Sequence, residues 1–422
     1  MPESPRIRPR NRALIAAGLL AATAVGVTLA IVLSAGEESP APAPAPPPSV
    51  SIPVHNPTSS PPWGFTGGGW ADYCYRPGAP LTYVSDPEPC PAGATRFTGL
   101  DQIALTAGAG ADVDRLQATW GTIEPRPPGQ ATPQGEPRFN WEPVLARYRA
   151  MLEDGIRPIV MAWGSPAWAR APGWERPGAC PSPTEAGCAF PPAPVHLPQW
   201  REFLRGLMVR MPKMRALEVW NEPNLARSFA PRPSPAFYAR MLEAADQAAS
   251  EVGFRRPIIT GGLSPVPPSG GKMPPARFLE GVYRAAGRAA FDGIGTHPYP
   301  ASSPWVASMN ANLDQLRAVR SRFHDSRKPL WITEVGVGGA PGGAAEFSVP
   351  LARQGPTIAR MYRSIQGRDV RSFIVYSLYD STAGGERFGP YGVMTPTLQP
   401  KPAYCQLAAQ IGRMRACPAQ EP

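Results

Sequence analysis

Short apolar runs alternate with amphipathic stretches along most of the chain. Each apolar run ends in polar or aromatic residues, as a buried strand entering a loop would. The runs are 63–66, 113–117, 157–163, 216–220, 257–261, 291–296, 329–333 and 373–377. The stretches with helical spacing are 100–110, 141–154, 197–210, 235–252, 275–287, 308–325 and 353–366. In the stretch 235–252, for example, Phe237, Met241 and Ala245 recur at helical intervals, and Ser234 can serve as the N-cap.

This alternation of strand and helix predicts parallel strands joined by right-handed crossovers. Eight strands of this kind predict a (β/α)8 TIM barrel. The repeats are longer than the about 31 residues of a minimal barrel, so we expect long loops, such as the one over 174–194. An open doubly wound sheet is the alternative. No Gly-x-Gly-x-x-Gly segment follows the first strand to mark a dinucleotide site, which disfavours that sheet.

The N-terminus predicts export. Residues 1–12 form an arginine-rich tail, and 13–35 form a signal-anchor helix whose segment Ala13–Leu33 carries no charge. About 20 such residues can span a bilayer, and the positive-inside rule places the tail in the cytoplasm. A cleaved signal peptide, cut near Ser34, is the alternative. Either reading places the rest of the chain outside the cell, in the first case attached to the membrane through this helix.

Residues 36–62 form a linker rich in proline and alanine, and residues 63–422 form the predicted catalytic domain. Proline-rich linkers are extended and semi-rigid. All six cysteines follow the linker, and an even number in an exported domain favours disulfides. Sequence alone allows about 15 pairings. We expect the three closest pairs: 74–90, 180–188 and 405–417.

The net charge of +10 raises the possibility of a nucleic-acid partner. Four arginines, however, lie within the first twelve residues, and no dense basic run occurs elsewhere. We therefore expect no nucleic-acid partner. No Cys-x-x-Cys segment is present, and the four histidines are not spaced as zinc ligands, so we expect no metal.

Two glutamates stand where barrel active sites form, at the C-terminal ends of strands. Glu222 lies in the segment Trp-Asn-Glu-Pro-Asn at 220–224, and Glu334 lies in Trp-Ile-Thr-Glu-Val-Gly at 331–336. Hydrolysis of a glycosidic bond needs two carboxyl groups: one protonates the leaving oxygen and the other attacks the anomeric carbon or activates water. A single glutamate at a strand end is often only a salt-bridge partner or a cap, so the pair carries the argument.

These two segments together resemble those of the clan A glycoside hydrolases. The nearest branch is family 39, with its xylosidases and iduronidases, and the family 5 glycanases come next. His297-Pro298-Tyr299 between the glutamates and Arg115 upstream add to the resemblance, which covers about residues 100–407. It implies a TIM barrel and a retaining, double-displacement mechanism without a cofactor.

The resemblance implies a role for each carboxyl group. Glu222 would be the general acid/base and Glu334 the nucleophile, while Asn221 would hydrogen-bond the sugar 2-hydroxyl. The acid must hold a proton at working pH, so we expect the pKa of Glu222 to lie above that of Glu334. Retention of configuration predicts carboxyl groups about 5–5.5 Å apart, whereas about 6.5–9.5 Å would indicate inversion.

Three further residues take roles from the resemblance. Arg115 matches the arginine of the second barrel strand, and its charge would keep Glu334 ionised. Tyr299 would donate a hydrogen bond to Glu334, and His297 would line the same site. The alternatives are a structural ion pair for Arg115 and a packed core histidine for His297.

Aromatic side chains near strand ends could form a platform for apolar sugar faces. The candidates are Trp120, Trp163, Trp168, Trp305 and Tyr376, although most tryptophans of a barrel are packing residues. The chain departs from the family patterns at two places. Many family 5 members have a histidine after the third strand, where Trp163 and Ser165 stand here, and many clan members end the eighth strand with a tryptophan, where Tyr376 stands.

The sequence therefore predicts a retaining glycoside hydrolase that cleaves O-glycosidic bonds of a cell-envelope or extracellular oligosaccharide or polysaccharide. The main alternative is a catalytically silent cell-surface carbohydrate-binding protein on the same barrel. A metal-dependent barrel hydrolase is disfavoured because only four histidines exist and His55 lies in the linker.

Overall fold

The computed structural model describes residues 60–66, 72–75, 82–84, 90, 92, 94–97, 99–130, 137–176, 188–343, 347–380, 390–395 and 399–411. The tail, the predicted anchor helix and most of the linker lie outside these ranges, so the predictions for them are not tested. Among the helices that the structure does describe, none is both long and apolar enough to cross a bilayer.

The strands are numbered along the chain. They are β1 Trp63–Phe65, β2 Asp72–Tyr75, β3 Thr82–Val84, β4 Thr95–Phe97, β5 Val113–Thr119, β6 Ile159–Trp163, β7 Ala216–Val219, β8 Ile258–Thr260, β9 Ile294–Thr296, β10 Leu330–Val335, β11 Gly338–Ala340, β12 Ser348–Pro350 and β13 Val370–Val375. The α-helices are α1 Gly99–Gly108, α2 Trp120–Ile123, α3 Glu142–Glu153, α4 Leu197–Arg210, α5 Pro235–Val252, α6 Pro275–Ala286, α7 Trp305–Arg322, α8 Leu351–Ser364 and α9 Pro402–Gln410.

Eight of these strands form one parallel sheet in the order β8-β7-β6-β5-β1-β13-β10-β9. The edge strands β8 and β9 approach each other through two parallel bridges, Ile259 to Gly293 and Leu263 to Thr296. The sheet is therefore a (β/α)8 barrel, as the alternating sequence pattern predicts, and the open doubly wound alternative is wrong. At β1, a side chain on Gly64 would lie 1.6 Å from the carbonyl oxygen of Val113, so glycine permits the close approach to β5.

Each apolar run that was predicted as a strand lies in this barrel, and the seven predicted helices are present with small shifts at their ends. In α5, the Ser234 hydroxyl accepts a hydrogen bond from the amide of Phe237, and Gly253 ends the helix with φ of 65°. The sequence pattern did not predict α2, α9, the antiparallel sheet of β2 to β4, or the β11–β12 pair. These are short elements, for which hydrophobic periodicity is weak.

The barrel interior has two layers. Its lower layer is apolar and is formed by Val113, Ile159, Ala216, Ile259, Trp331 and Ile374, one side chain from each of six strands. Because side chains alternate along a strand, the next inward positions lie two residues further towards the C-terminal ends. There, Arg115, Glu218 and Thr333 are fully buried. These three side chains form a polar layer that packs directly on the apolar layer.

The disulfide between Cys74 and Cys90 is present, as expected. Cys188 and Cys405 are also disulfide-bonded. Their expected partners, Cys180 and Cys417, lie outside the described ranges, so those two pairings stay predictions.

Candidate active site

The segment after β7 leaves the strand direction through an unusual turn. Trp220 and Glu222 have φ of 74° and 43°, conformations that cost non-glycine residues about 1–3 kcal/mol each. The surroundings compensate: the indole of Trp220 is fully buried and donates a hydrogen bond of 2.5 Å to the carbonyl of Ser228. Asn224 bonds the backbone of Ser264 and of Met273 on the neighbouring loop. The turn brings Asn221 and Glu222 to the C-terminal mouth of the barrel.

Arg115 occupies the centre of the polar layer and has no exposed surface. Its Nε and Nη2 donate to the carboxylate of Glu218 at 2.6 and 3.0 Å, and its Nη1 donates to Oε1 of Glu334 at 2.5 Å. Nη2 also donates to Oδ1 of Asn221 at 2.8 Å. Burial alone would lower the pKa of Arg115, but the charges of Glu218 and Glu334 outweigh it and raise the pKa.

Glu218 is a buried carboxylate that the sequence analysis missed. Besides binding Arg115, its Oε1 accepts hydrogen bonds from the amide of Gly262 at 2.8 Å and from the hydroxyl of Thr333 at 2.9 Å. Glu218 therefore connects β5, β7, β10 and the loop after β8. A glutamate at an inward position of an otherwise apolar strand was the available signal, because a buried carboxylate needs partners.

Glu334 lies near the end of β10 and is 8% exposed. The pairing of β10 with β13 shifts in register between Ile332 and Val335, and both Thr333 and Glu334 contact the polar layer there. Tyr299 donates from its hydroxyl to Oε2 of Glu334 at 3.0 Å. Burial, followed by the charge of Glu334, raises the pKa of Tyr299 well above its usual value, so the phenol keeps its proton and acts as a donor.

His297 lies between the two glutamates and is fully buried. Its Nδ1 is 3.2 Å from Oε1 of Glu222 and 3.5 Å from Oε2 of Glu334. Because both oxygens contact one nitrogen, they can be no further apart than these two distances combined. The ring packs against Gly262, where a side-chain carbon would lie 2.0 Å from Nε2.

The electrostatic state of Glu222 differs from the expectation. Burial raises the pKa of this carboxyl, but the hydrogen bond and charge of His297 and the ion pair with Arg227 outweigh burial and lower the pKa to about 2. Glu222 is therefore ionised at neutral pH in the free site, whereas we expected it to hold a proton. Arg227, whose Nη2 lies 3.0 Å from Oε2 of Glu222, was not among the predicted site residues.

A cluster of tyrosines lies close to Glu334. Tyr376, at the end of β13, makes edge contacts with Tyr299 and with Tyr391, with ring centroids 6.3 and 6.1 Å apart. Tyr391 was not predicted because it comes from a loop rather than a strand end. Trp163 ends β6 and is half-buried, as is Trp305 at the start of α7.

Trp120 does not belong to the sugar platform that the sequence predicts. It is fully buried, where it packs against Trp168, Trp200 and Phe203, and its indole nitrogen donates to Glu124 at 2.7 Å. It starts α2 and lies in the layer between strands and helices, so its ring cannot contact a ligand. Trp168 belongs to the same cluster and is half-buried.

We find no cluster of three or more metal-binding side chains in the ranges that the structure describes. The mouth of the barrel holds three carboxylates, two guanidiniums and one imidazole that are linked by hydrogen bonds and ion pairs. Such a set can bind a polar ligand, stabilise positive charge and transfer protons.

No protein-family model matches the sequence, and no curated protein matches it either. Solved structures share its fold. A GH39 enzyme from Xanthomonas axonopodis pv. citri has a TM-score of 0.54 at 16% identity, over 73% of this chain and 62% of that one. A monomeric β-xylosidase from Caulobacter crescentus has a TM-score of 0.54 at 18% identity, over 73% and 64%.

A GH5_18 structure from Streptomyces cattleya in complex with GlcNAc has a TM-score of 0.50 at 18% identity, over 76% of this chain and 77% of that one. These similarities confirm that the fold is that of the family 39 and family 5 glycoside hydrolases, as the sequence segments suggested. The chain spans less than two thirds of the length of the first two structures.

We predict that Glu218→Gln destabilises the protein by about 3 kcal/mol, because Arg115 stays buried after losing a charged partner. The matched control is Glu202→Gln. Glu202 also pairs with an arginine, but its side chain is 38% exposed, so its loss should cost no more than about 1 kcal/mol. Denaturant unfolding compares the two variants. Equal effects would mean that Glu218 does not anchor the site.

Proposed function

We propose that the protein is a retaining glycoside hydrolase with Glu334 as nucleophile and Glu222 as general acid/base. One observation carries this proposal: the two carboxylates, from the ends of two barrel strands, contact the same imidazole nitrogen but have different remaining partners. This shared contact favours the close spacing of retaining enzymes over the wider spacing that leaves room for a water molecule.

Glu334 suits the nucleophile because its partners hold the carboxylate in one orientation. Arg115 and Tyr299 each donate to one of its oxygens, which fixes the position of the carboxylate for attack. Attack on the anomeric carbon forms a glycosyl ester and removes the negative charge of Glu334. Water then cleaves this ester in the second step.

Glu222 suits proton transfer because its Oε2 pairs with Arg227, whose side chain is 41% exposed, so this oxygen lies near solvent. In the first step the protonated carboxyl gives its proton to the leaving glycosidic oxygen. In the second step the carboxylate accepts a proton from the attacking water. The free site holds Glu222 ionised, so substrate binding must raise its pKa before the first step.

Asn221 suits recognition of the sugar 2-hydroxyl. Its Oδ1 already accepts a hydrogen bond from Arg115, so its amide NH2 is the group that can donate to a ligand. Together with Trp163 and Tyr376 it would define the subsite for the sugar that is transferred to Glu334. Each step uses side chains alone, and the proposed mechanism contains no cofactor.

The fold supports the proposal at the level of reaction class. One structural neighbour is a β-xylosidase and another was solved in complex with GlcNAc. For this chain we propose a β-linked oligosaccharide or polysaccharide of the cell envelope or the extracellular space.

We predict that the soluble domain, 63–422, hydrolyses a member of a panel of aryl glycosides and wall polysaccharides. Glu334→Gln should abolish turnover. Glu222→Gln should lower kcat by about 10²–10⁴, and less for an aryl glycoside whose leaving group needs no proton. Glu202→Gln is the control and should retain activity.

Proton NMR of the first product should show retained anomeric configuration. Inverted configuration would contradict the two-step mechanism. If one glycan binds unchanged in all variants and none is cleaved, the silent carbohydrate-binding protein would replace the proposed enzyme.

We also propose that residues 13–35 anchor this domain to the outer face of the cytoplasmic membrane. The uncharged segment and the arginines before it support this reading. The full chain should remain with membranes after alkaline carbonate extraction, whereas 63–422 should be released. Release of the full chain with a new N-terminus near Ala35 would indicate a cleaved signal peptide.

A further inference from the structure

Arg227 pairs with the carboxylate oxygen of Glu222 that does not contact His297. Oε1 of Glu222 contacts His297 in the interior, whereas Oε2 contacts Nη2 of Arg227. The side chain of Arg227 is 41% exposed, and that of Glu222 is 8% exposed. Under the proposed function Glu222 protonates the departing sugar, so its partner Arg227 would lie beside the leaving group.

This ion pair opposes proton donation. The charged and titratable groups around Glu222 are two guanidiniums, one imidazole, one further carboxylate and two phenols. These groups are His297, Arg227, Arg115, Glu334, Tyr299 and Tyr376. The hydrogen bond and charge of His297, followed by the ion pair with Arg227, outweigh burial and lower the pKa of Glu222. His297 and Arg115 are buried, so a substrate group can reach neither without rearrangement. Arg227 is the cation that a ligand can take from Glu222.

The neighbouring loops are basic. The described parts of the loops after β6, β7 and β8 contain Arg170, Arg176, Arg227, Arg232 and Lys272, whereas their acidic residues are Glu175 and Glu222 itself. The loop of Arg227 also bonds to the loop of Lys272, through Ala226 to Gly271 at 3.0 Å and a bridge between Leu225 and Lys272. An anionic ligand would be attracted to this side of the mouth.

We propose that Arg227, supported by Lys272, forms a subsite for an anionic group on the leaving-group sugar, either the carboxylate of a uronic acid or a sulfate ester. This inference rests on the proposed hydrolase function and narrows its substrate class. The planar guanidinium can bind two oxygens of such a group at once.

Binding of the substrate anion would release Glu222 from its ion pair. Glu222 then takes a proton from solvent and passes it to the glycosidic oxygen as the bond to the anomeric carbon breaks and the bond to Glu334 forms. A neutral leaving sugar leaves the ion pair intact. The site would therefore select anionic substrates in the chemical step as well as in binding.

The test uses three disaccharides with the glycone that the panel identifies, joined to glucose, glucuronic acid or glucose 6-sulfate. The parent domain should cleave at least one anionic substrate with kcat/KM about tenfold or more above that of the neutral one. In Arg227→Gln this ratio should fall towards one, and the alkaline limb of the pH profile should move to higher pH because Glu222 has lost a cationic partner. Arg227→Lys should keep part of the preference.

Arg201→Gln is the matched control. Arg201 is likewise 41% exposed and paired with a glutamate, Glu251, but it lies on helix α4 and not on the loop that carries Glu222. The control should keep both the ratio and the pH profile. Cleavage of all three disaccharides at equal rates, or a preference that survives Arg227→Gln, would overturn the anionic subsite and leave the hydrolase intact. Turnover of none would overturn the hydrolase as well.

Discussion

A buried guanidinium has no water to satisfy its donors, so the protein must supply every acceptor. In this barrel, Arg115 meets that requirement with the carboxylates of Glu218 and Glu334 and the amide oxygen of Asn221. The positions of these three side chains, which lie on β7, on β10 and just past the end of β7, are thereby fixed relative to Arg115 on β5. The candidate active site depends on this one set of charge-assisted hydrogen bonds.

The barrel architecture makes such an arrangement possible. Apolar side chains fill the barrel interior towards the N-terminal ends of the strands, and the polar layer packs against them. Water therefore cannot reach Arg115 and its partners from that end. In a dry environment charge–charge interactions are stronger and less screened than at the surface. The left-handed turn after β7 and the register shift in β10 then place the two glutamates beside His297. In regular strands, side chains alternate between the two faces, and the two glutamates would not both be directed at His297.

The sequence predicted the barrel well because each strand is a short apolar run and each long helix has a clear periodicity. It also predicted the set Glu222, Glu334, Arg115, His297 and Tyr299, which the structure brings together. Glu218 was not predicted because the alternation of residues along one strand does not reveal an ion-pair partner on another strand. Trp120 was misplaced because a residue just past a strand end can face either the mouth or the helix layer. The pairing of Glu222 with Arg227 depends on the turn after β7. No local sequence pattern indicates that Trp220 and Glu222 adopt left-handed conformations there.

The measurement closest to the central claim is covalent trapping of the nucleophile. The parent domain is incubated with a 2-deoxy-2-fluoro glycoside of the sugar that it cleaves, carrying a good leaving group, and the labelled peptide is identified by mass spectrometry. The electron-withdrawing fluorine slows both steps, and the good leaving group lets the first outrun the second, so the glycosyl ester accumulates. The account predicts a single label on Glu334. A label on Glu222, or continued turnover through an unlabelled Glu334, would contradict it.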